Sequence, residues 1–103
     1  MEQEHTNRPV FKDPSTGKRY TCLGWAVSLR TGWEWYAFEV VEESDEDTIY
    51  FGLVHGEETE WGNFSLKELT ECGIDFVTEP EELWSILPPE NWVADSVPNT
   101  LIQ

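Results

Sequence analysis

Basic residues are scarce in this sequence. Its 103 residues contain six Lys and Arg against 21 Asp and Glu, which gives a formal net charge of −15 at pH 7. A field of that sign repels nucleic acid and anionic membrane surfaces, and it attracts basic proteins and cations. The composition therefore argues against direct nucleic-acid binding and membrane-surface binding, and it predicts a partner with a basic protein surface.

Cysteine is also scarce, and neither a secretory leader nor a membrane-spanning run is expected from the sequence. Cys22 and Cys72 are the two cysteines, too few for a disulfide framework. The simplest interpretation is two buried thiols, with a disulfide or a shared metal as alternatives. His5 and His55 would complete four ligands, but the spacing is unlike that of zinc motifs. Residues 1–20 have no signal-peptide core, and no run approaches membrane-spanning length. We expect a cytoplasmic protein without metal or cofactor.

Sequence motifs typical of catalytic sites are weak in this chain. A serine or cysteine nucleophile needs an orienting histidine, and the one candidate, His55, precedes Gly56 as a turn residue would. The spaced glycines of FGLVHGEETEWG stand among acids that would repel phosphate, and ESDED lacks the EF-hand order. Glu34, Glu39 and Glu60 are candidates for acid–base work, but solvated strand ends explain them more simply. We expect no enzyme and no catalytic residue.

Aromatic residues are abundant: they make up 14% of the chain and include six tryptophans. Runs rich in aromatic and β-branched residues favour strands, and the candidate strands are 19–29, 33–41, 47–56 and, more briefly, 59–64. Within 33–41, alternation places Tyr36, Phe38 and Val40 on one face. The other face is also largely apolar, so the run is expected to be a central strand.

Two short helices follow these strands. Ser65 is placed to cap the first, with Glu68 three residues on as in a capping box and Gly73 as the stop. Pro80 suits the first turn of the second helix, and the prolines at 88 and 89 end it. The residues of the second helix predicted to pack inward are Leu83, Trp84 and Leu87.

These elements predict an α+β fold: a small antiparallel sheet of three to four strands in a meander, with two short helices packed on one face. Residues 1–18 are expected to form a loose N-terminal arm, residues 19–93 a single α+β domain, and residues 94–103 a C-terminal tail.

Acidic residues are clustered rather than scattered. EESDED, residues 42–47, stands between two of the most apolar runs, and GEETEW, residues 56–61, repeats the theme. Tryptophan is enriched at the energetic centres of protein interfaces. The candidate binding residues are therefore Glu42, Glu43, Asp45, Glu46, Asp47, Glu57, Glu58, Glu60 and Trp61.

The middle of the chain also resembles a known family. GWEWYAFEV and then YFGLVHGEETEWGNFSLKEL follow the pattern W-x-W-Y-x-x-E, then F-G-L-V-x-G-x-E-x-E-x-G-x-F-S-L-x-E-L. That pattern resembles a family of small domains of unknown function carried mainly on bacterial plasmids, phages and other mobile elements. The match covers about residues 32 to 70. After the helix, Asp75 stands without the Arg that family members pair with it. The resemblance implies a mobile-element setting and no catalytic residues.

Three functions fit these patterns. The first is a small acidic binding protein that imitates nucleic acid and blocks a basic host protein, such as a nuclease or other DNA-binding protein, in the manner of anti-restriction or anti-CRISPR proteins. The second is an interaction module that binds through exposed aromatics and a sheet edge. The third is a halophile-type domain whose acidity only keeps it in solution. The oligomeric state is left open.

Overall fold

Two antiparallel sheets form the framework of the fold in the computed structural model, which describes residues 8–94. The larger sheet has five strands in the order β6-β5-β4-β3-β7, and the smaller has three in the order β2-β1-β8. The strands are β1 Val10–Lys12, β2 Arg19–Thr21, β3 Gly24–Val27, β4 Glu34–Glu43, β5 Thr48–His55, β6 Thr59–Ser65, β7 Phe76–Val77 and β8 Val93–Ala94; the helices are α1 Leu66–Glu71 and α2 Pro80–Leu83.

The predicted α+β class, with one sheet of three to four strands, is wrong. Strands account for 45% of the structure and helices for 11%. The run 19–29, predicted as one strand, divides between the two sheets: Cys22 N donates to Pro9 O at 2.9 Å, whereas Leu23 N donates to Ala37 O at 2.8 Å. The strands β7 and β8 have only two residues each, too few for any alternation to be read in the sequence.

Tyr36 and Phe38 share a face of β4 as predicted, since their rings stack, but Val40, predicted on the same face, is 44% exposed. The register of β4 with β5 shifts between Ala37 and Glu39 and again between Val40 and Glu42, and each bulge breaks the alternation of side chains. Glu39 therefore pairs with Phe51. Gly52 lies opposite the first bulge, where a Cβ atom would overlap the Tyr36 carbonyl oxygen. Glycine thus allows the close approach of β5 to β4.

The core lies between the two sheets. Its buried members are Phe11, Cys22, Tyr36, Leu53 and Leu83. The rings of Phe11 and Tyr36 meet edge to face, with centroids 6.2 Å apart, and the Tyr36 hydroxyl donates to Leu87 O at 3.1 Å. Burial is the main cause that raises the pKa of the Tyr36 hydroxyl, followed by the Glu34 carboxylate.

Both predicted chain ends are partly described. Within the predicted arm 1–18, Val10–Lys12 form β1, which pairs with β2 and β8, so Phe11 belongs to the core rather than to a loose segment. Residues 1–7 lie outside the described residues. In the predicted tail, Ala94 pairs with Phe11, and residues 95–103 again lie outside the described part.

Both helix starts and the end of α1 were predicted correctly, whereas α2 ends at Leu83, well before the predicted stop at Pro88 and Pro89. The Ser65 hydroxyl accepts from Glu68 N at 3.1 Å, which confirms the N-cap. Gly73, with φ of 77°, donates to Thr70 O, and Ile74 N donates to Leu69 O, the pattern of a Schellman C-cap. Pro80 is in the first turn of α2, as predicted.

The two helices do not share one face. Leu83 of α2 is in the core between the sheets, whereas α1 contacts β5, β6 and β7 and its buried Leu69 is not a member of that core. Leu87, predicted to pack inward, is 80% exposed. Among residues 8–94, no helix is both long and apolar enough to cross a membrane.

Candidate functional site

The acidic stretch 42–47 is the end of the β4–β5 hairpin. Glu42 and Glu43 are the last residues of β4, and Asp45 and Glu46 lie in the loop that follows. All four side chains are exposed. We call these four residues the loop cluster. Because strand β4 continues to Glu43, two of the four carboxylates of the loop cluster project from a hydrogen-bonded strand rather than from a free loop.

Ser44 closes the loop with backbone and side-chain hydrogen bonds. Ser44 N donates to Asp47 O at 2.9 Å, and the Ser44 hydroxyl donates to the same oxygen at 3.3 Å. The hydroxyl oxygen also accepts from Glu46 N at 3.3 Å and from Asp47 N at 3.2 Å. Short polar side chains commonly stabilise turns in this way. The backbone between Ser44 and Asp47 therefore has a defined shape.

Asp47 fastens that loop to helix α1. One of its carboxylate oxygens accepts from the Ser65 hydroxyl at 2.5 Å, and the other accepts from Lys67 N at 2.8 Å and from Thr48 N at 2.7 Å. The hydrogen bond from Ser65, and then that from Lys67 N, lower the pKa of Asp47. Both carboxylate oxygens of Asp47, which was predicted as a binding residue, thus accept hydrogen bonds from within the protein.

A second group of carboxylates lies at the β5–β6 turn. Glu57, Glu58 and Glu60 are all exposed there, and we call them the turn cluster. Gly56 N donates to Glu58 O at 3.0 Å, and His55 Nδ1 lies 2.5 Å from Thr59 Oγ1. The turn is therefore braced on both sides of Glu57.

An indole ring borders the turn cluster. A Cβ atom at Gly56 would lie 2.6 Å from the Trp33 ring, so the indole rests directly on the Gly56 backbone. Trp33 and Val54 line a hollow of about 310 Å³ together with the three carboxylates of the turn cluster. Trp33 is 39% exposed. Trp33 was not among the predicted binding residues, because it comes close to Gly56 only through the pairing of Glu34 with His55.

The two clusters lie at opposite ends of β5. That strand has eight residues, and at about 3.3 Å per residue it separates them by roughly 25 Å. The nine predicted binding residues therefore do not form one patch. They form two exposed acidic groups. Asp47, beside the first group, is hydrogen-bonded to Ser65 and Lys67 N, and Trp61 directly follows the second group on β6.

Trp61 is packed more than a free binding residue would be. Its ring stacks on Phe51, with centroids 5.6 Å apart and planes 13° apart, and it lies 5.1 Å from Tyr20 and 6.0 Å from Trp92. These rings join the two sheets at their rim. Trp61 remains 40% exposed, so it contributes both to the junction and to the surface.

The two cysteines have opposite environments. Cys22 is fully buried, and its thiol donates to Gly24 O at 3.5 Å; burial raises its pKa to about 12. Cys72 is exposed, contrary to the expectation of two buried thiols, and both cysteines are free. The predicted alternative of a disulfide between them is therefore wrong.

The remaining chemistry of the described region is limited. Within residues 8–94, no three His, Cys, Asp or Glu side chains are grouped so as to hold a metal ion. Lys67 is the basic residue among those that line the hollow between the acidic loop and α1, so the loop cluster keeps a strongly negative surface. No protein-family model, no curated protein and no solved structure matches this chain.

Proposed function

We propose that this protein binds the basic surface of a DNA-binding protein, through the loop cluster and the turn cluster, and thereby competes with nucleic acid. The observation that carries the proposal is the set of hydrogen bonds from Ser44 and Asp47. They give the acidic loop a fixed shape and join it to α1. Carboxylates on a defined backbone present a pattern of charge that a partner can recognise, whereas a loose acidic loop presents only net charge.

The spacing of the clusters suits such a partner. Duplex DNA rises about 3.4 Å per phosphate along each strand, so the roughly 25 Å between the clusters corresponds to about seven base-pair steps. The hairpin of β4 and β5 sets this distance because its strands pair from Glu34 and His55 to Glu43 and Thr48. A basic cleft that accommodates a short stretch of duplex would meet both clusters.

The setting follows from the resemblance to domains of mobile elements and from the charge. A plasmid or phage protein of this kind would act in the cytoplasm against a host nuclease or a related DNA-binding protein. Binding would need no cofactor and no catalytic group, since occupation of the basic cleft is itself the inhibitory step. The net charge of −15 also speeds the encounter with a basic partner.

The test compares two variants that lose the same charge. In the loop variant, Glu42, Glu43 and Glu46 become Gln and Asp45 becomes Asn, while Asp47 is kept because it holds the fold. In the control variant, the exposed residues Glu79, Glu81, Glu82 and Glu90 become Gln. Wild type and both variants are immobilised, and a captured DNA-binding protein is challenged with duplex DNA and with rising salt.

The proposal expects the wild type and the control variant to capture the same DNA-binding protein, and the loop variant to lose it. Duplex DNA displaces the captured protein, and affinity falls steeply with salt because exposed charges are screened beyond about 8 Å at physiological ionic strength. Equal capture by the loop variant, or capture that duplex DNA leaves unchanged, would contradict the proposal.

A second candidate is an interaction module that binds through indole rings. The observation that favours it is the exposure of Trp33, at 39%, next to the hollow beside the β5–β6 turn. Under this alternative Trp33→Ala abolishes capture, whereas the loop variant retains it and added salt has little effect. If the protein instead competes with nucleic acid through its acidic clusters, the loop variant loses capture.

A further inference from the structure

The outer edge of β6 is open in the described part of the chain. All seven residues of β6 pair with β5, from Thr59 with His55 to Ser65 with Ile49. No described strand pairs with β6 on its other side, where the five-stranded sheet ends. Alternate N–H and C=O groups of an edge strand point away from its neighbour. Within residues 8–94, β6 therefore presents a row of backbone donors and acceptors that no other strand pairs.

Apart from the charge of Glu60, the residues of β6 lack the usual protections against strand addition. Proteins commonly protect edges with proline, lysine, a bulge or a very short strand. β6 contains neither proline nor lysine, and its register with β5 runs without a shift. The opposite edge, β7, has only two residues. The sheet thus has one short edge and one edge long enough to hold another strand.

The side chains along β6 indicate what kind of strand would fit. Glu60 and Gly62 share one face and Trp61 lies on the other, because side chains alternate along a strand. Nothing lies within 4 Å of a Cβ atom built at Gly62, so a neighbouring strand has room for a large side chain there. Glu60 favours a cation beside it, and the half-exposed indole of Trp61 favours an aliphatic chain or a cation over its face.

Charge distinguishes between the two segments that could bind the edge of β6, a second copy of this chain and a basic segment of another protein. A second copy would bring another −15 and another turn cluster to the same edge, which like-charge repulsion disfavours. A basic segment instead finds Glu60 on the strand and Glu57 and Glu58 at its beginning. All three carboxylates are exposed.

We propose that the outer edge of β6 binds an extended basic segment of the partner protein, which adds to the large sheet as a sixth strand. The inference rests on the proposed function for the partner's charge, and it adds the mode of binding. Main-chain hydrogen bonds would supply affinity, and the alternating side chains would supply selectivity. One face of the added strand carries Lys or Arg next to Glu60, and the other carries apolar residues next to Trp61.

The probe is a synthetic eight-residue peptide of alternating lysine and valine, which has one basic and one apolar face when extended. Three further peptides carry N-methyl groups on the lysine amides, on the valine amides, or on both. N-methylation removes backbone donors without changing the charge. Affinities are measured by titration calorimetry with the full chain, and binding is located by hydrogen exchange of the backbone amides.

The inference expects the unmodified peptide to bind and to protect amides within residues 59–65, with those of 42–47 unchanged. Methylation of at least one set of amides lowers affinity tenfold or more, and methylation of both abolishes binding. Glu60→Gln weakens binding, whereas the control Glu79→Gln does not. Absence of binding by the unmodified peptide, or equal affinity of all four peptides, would overturn the inference.

Other occupants of the edge would give different results. If a chain ending at Ala94 binds the peptide and the full chain does not, residues 95–103 cover the edge, and the inference fails. If amides of β6 become protected as protein concentration rises without peptide, a second copy occupies the edge, and it fails again. If the peptide does not bind but the protein still captures a DNA-binding protein that duplex DNA displaces, only this inference fails. If the peptide binds but no such protein is captured, only the proposed function fails.

Discussion

The Asp47 carboxylate and the Ser65 hydroxyl are joined by a hydrogen bond of 2.5 Å, although 18 positions separate them in the sequence. Ser65 simultaneously caps α1 by accepting from Glu68 N. One serine thus connects the acidic loop, the end of β6 and the beginning of a helix. The most acidic stretch of the chain is fixed by one of its own carboxylates.

Replacement of Asp47 is therefore expected to destabilise the fold more than replacement of its neighbour. Asp47→Asn weakens the hydrogen bonds to Ser65 and Lys67 N, whereas Glu46→Gln changes an exposed side chain of the same loop. Urea unfolding at neutral pH measures both. We expect a lower midpoint for Asp47→Asn and a midpoint near that of the wild type for Glu46→Gln; coincident midpoints of the two variants would contradict the role of Asp47.

The hydrogen bonds of Asp47 with Ser65 and Lys67 N also predict that the stability of the fold depends on pH. Because hydrogen bonds lower the pKa of Asp47 in the folded state, its contribution is fully present above the ordinary pKa of an aspartate and is lost as the pH falls through the lowered value. The difference in unfolding free energy between wild type and Asp47→Asn should be widest at neutral pH and should narrow as the pH falls below the ordinary pKa of an aspartate. A gap of constant size across this range would argue against the carboxylate as its cause.

Gly52 and Gly62 provide a matched pair on neighbouring strands. A Cβ at Gly52 would overlap the Tyr36 carbonyl oxygen, whereas nothing lies near one at Gly62. We expect Gly52→Ala to lower the free energy of unfolding by about 1–3 kcal/mol or more, as overpacking does. Gly62→Ala should have no effect or raise it by about 0.5–1 kcal/mol, since alanine costs less backbone entropy. Equal effects in denaturant titrations would mean that the bulge does not bring the strands together.

Leu83 and Leu87 test whether α2 belongs to the core. Leu83 is fully buried and Leu87 is 80% exposed. Leu83→Ala should cost about 2–5 kcal/mol of unfolding free energy, as for other buried leucines, and Leu87→Ala less than about 0.5 kcal/mol. A small loss for Leu83→Ala would show that the short helix is only loosely attached.

The thiols should differ in reactivity. Cys72 is exposed and is expected to react with a disulfide reagent within the mixing time or shortly after. Cys22 is buried with its pKa raised to about 12, and the thiolate is the reactive form, so it should react only as the protein unfolds. Colorimetric thiol counting on Cys22→Ser and Cys72→Ser assigns each phase, and fast reaction of two thiols in the folded protein would contradict the burial of Cys22.

Local signals in the sequence were sufficient for both helix starts, for the end of α1 and for the long strands, but not for the end of α2 at Leu83. Ser65, Gly73 and Pro80 act through neighbours within a few positions, so their roles as cap, stop and first-turn residue could be predicted. The architecture could not, because it depends on distant pairings. Phe11 of the core, for example, pairs with Ala94, more than 80 positions away, and packs against Tyr36.

The candidate site shows the same division. The exposure of Glu42 and Glu58 follows from charge alone, whereas the hydrogen bond between the Asp47 carboxylate and Ser65 requires the hairpin to return beside α1. The two bulges in β4 are likewise absent from any alternation pattern, because each inserts a residue that no composition rule marks. The two acidic stretches could therefore be found in the sequence, but not their separation at opposite ends of β5 or the hydrogen bonds of Asp47 to Ser65 and Lys67 N.

Backbone ¹⁵N relaxation of residues 42–47 tests the central claim most directly, because the claim is that these carboxylates project from a backbone of fixed shape. The account predicts order parameters near about 0.85, like those of the strands on either side. Values below about 0.6 in the wild-type protein would show that the acidic loop moves freely, and would contradict the account.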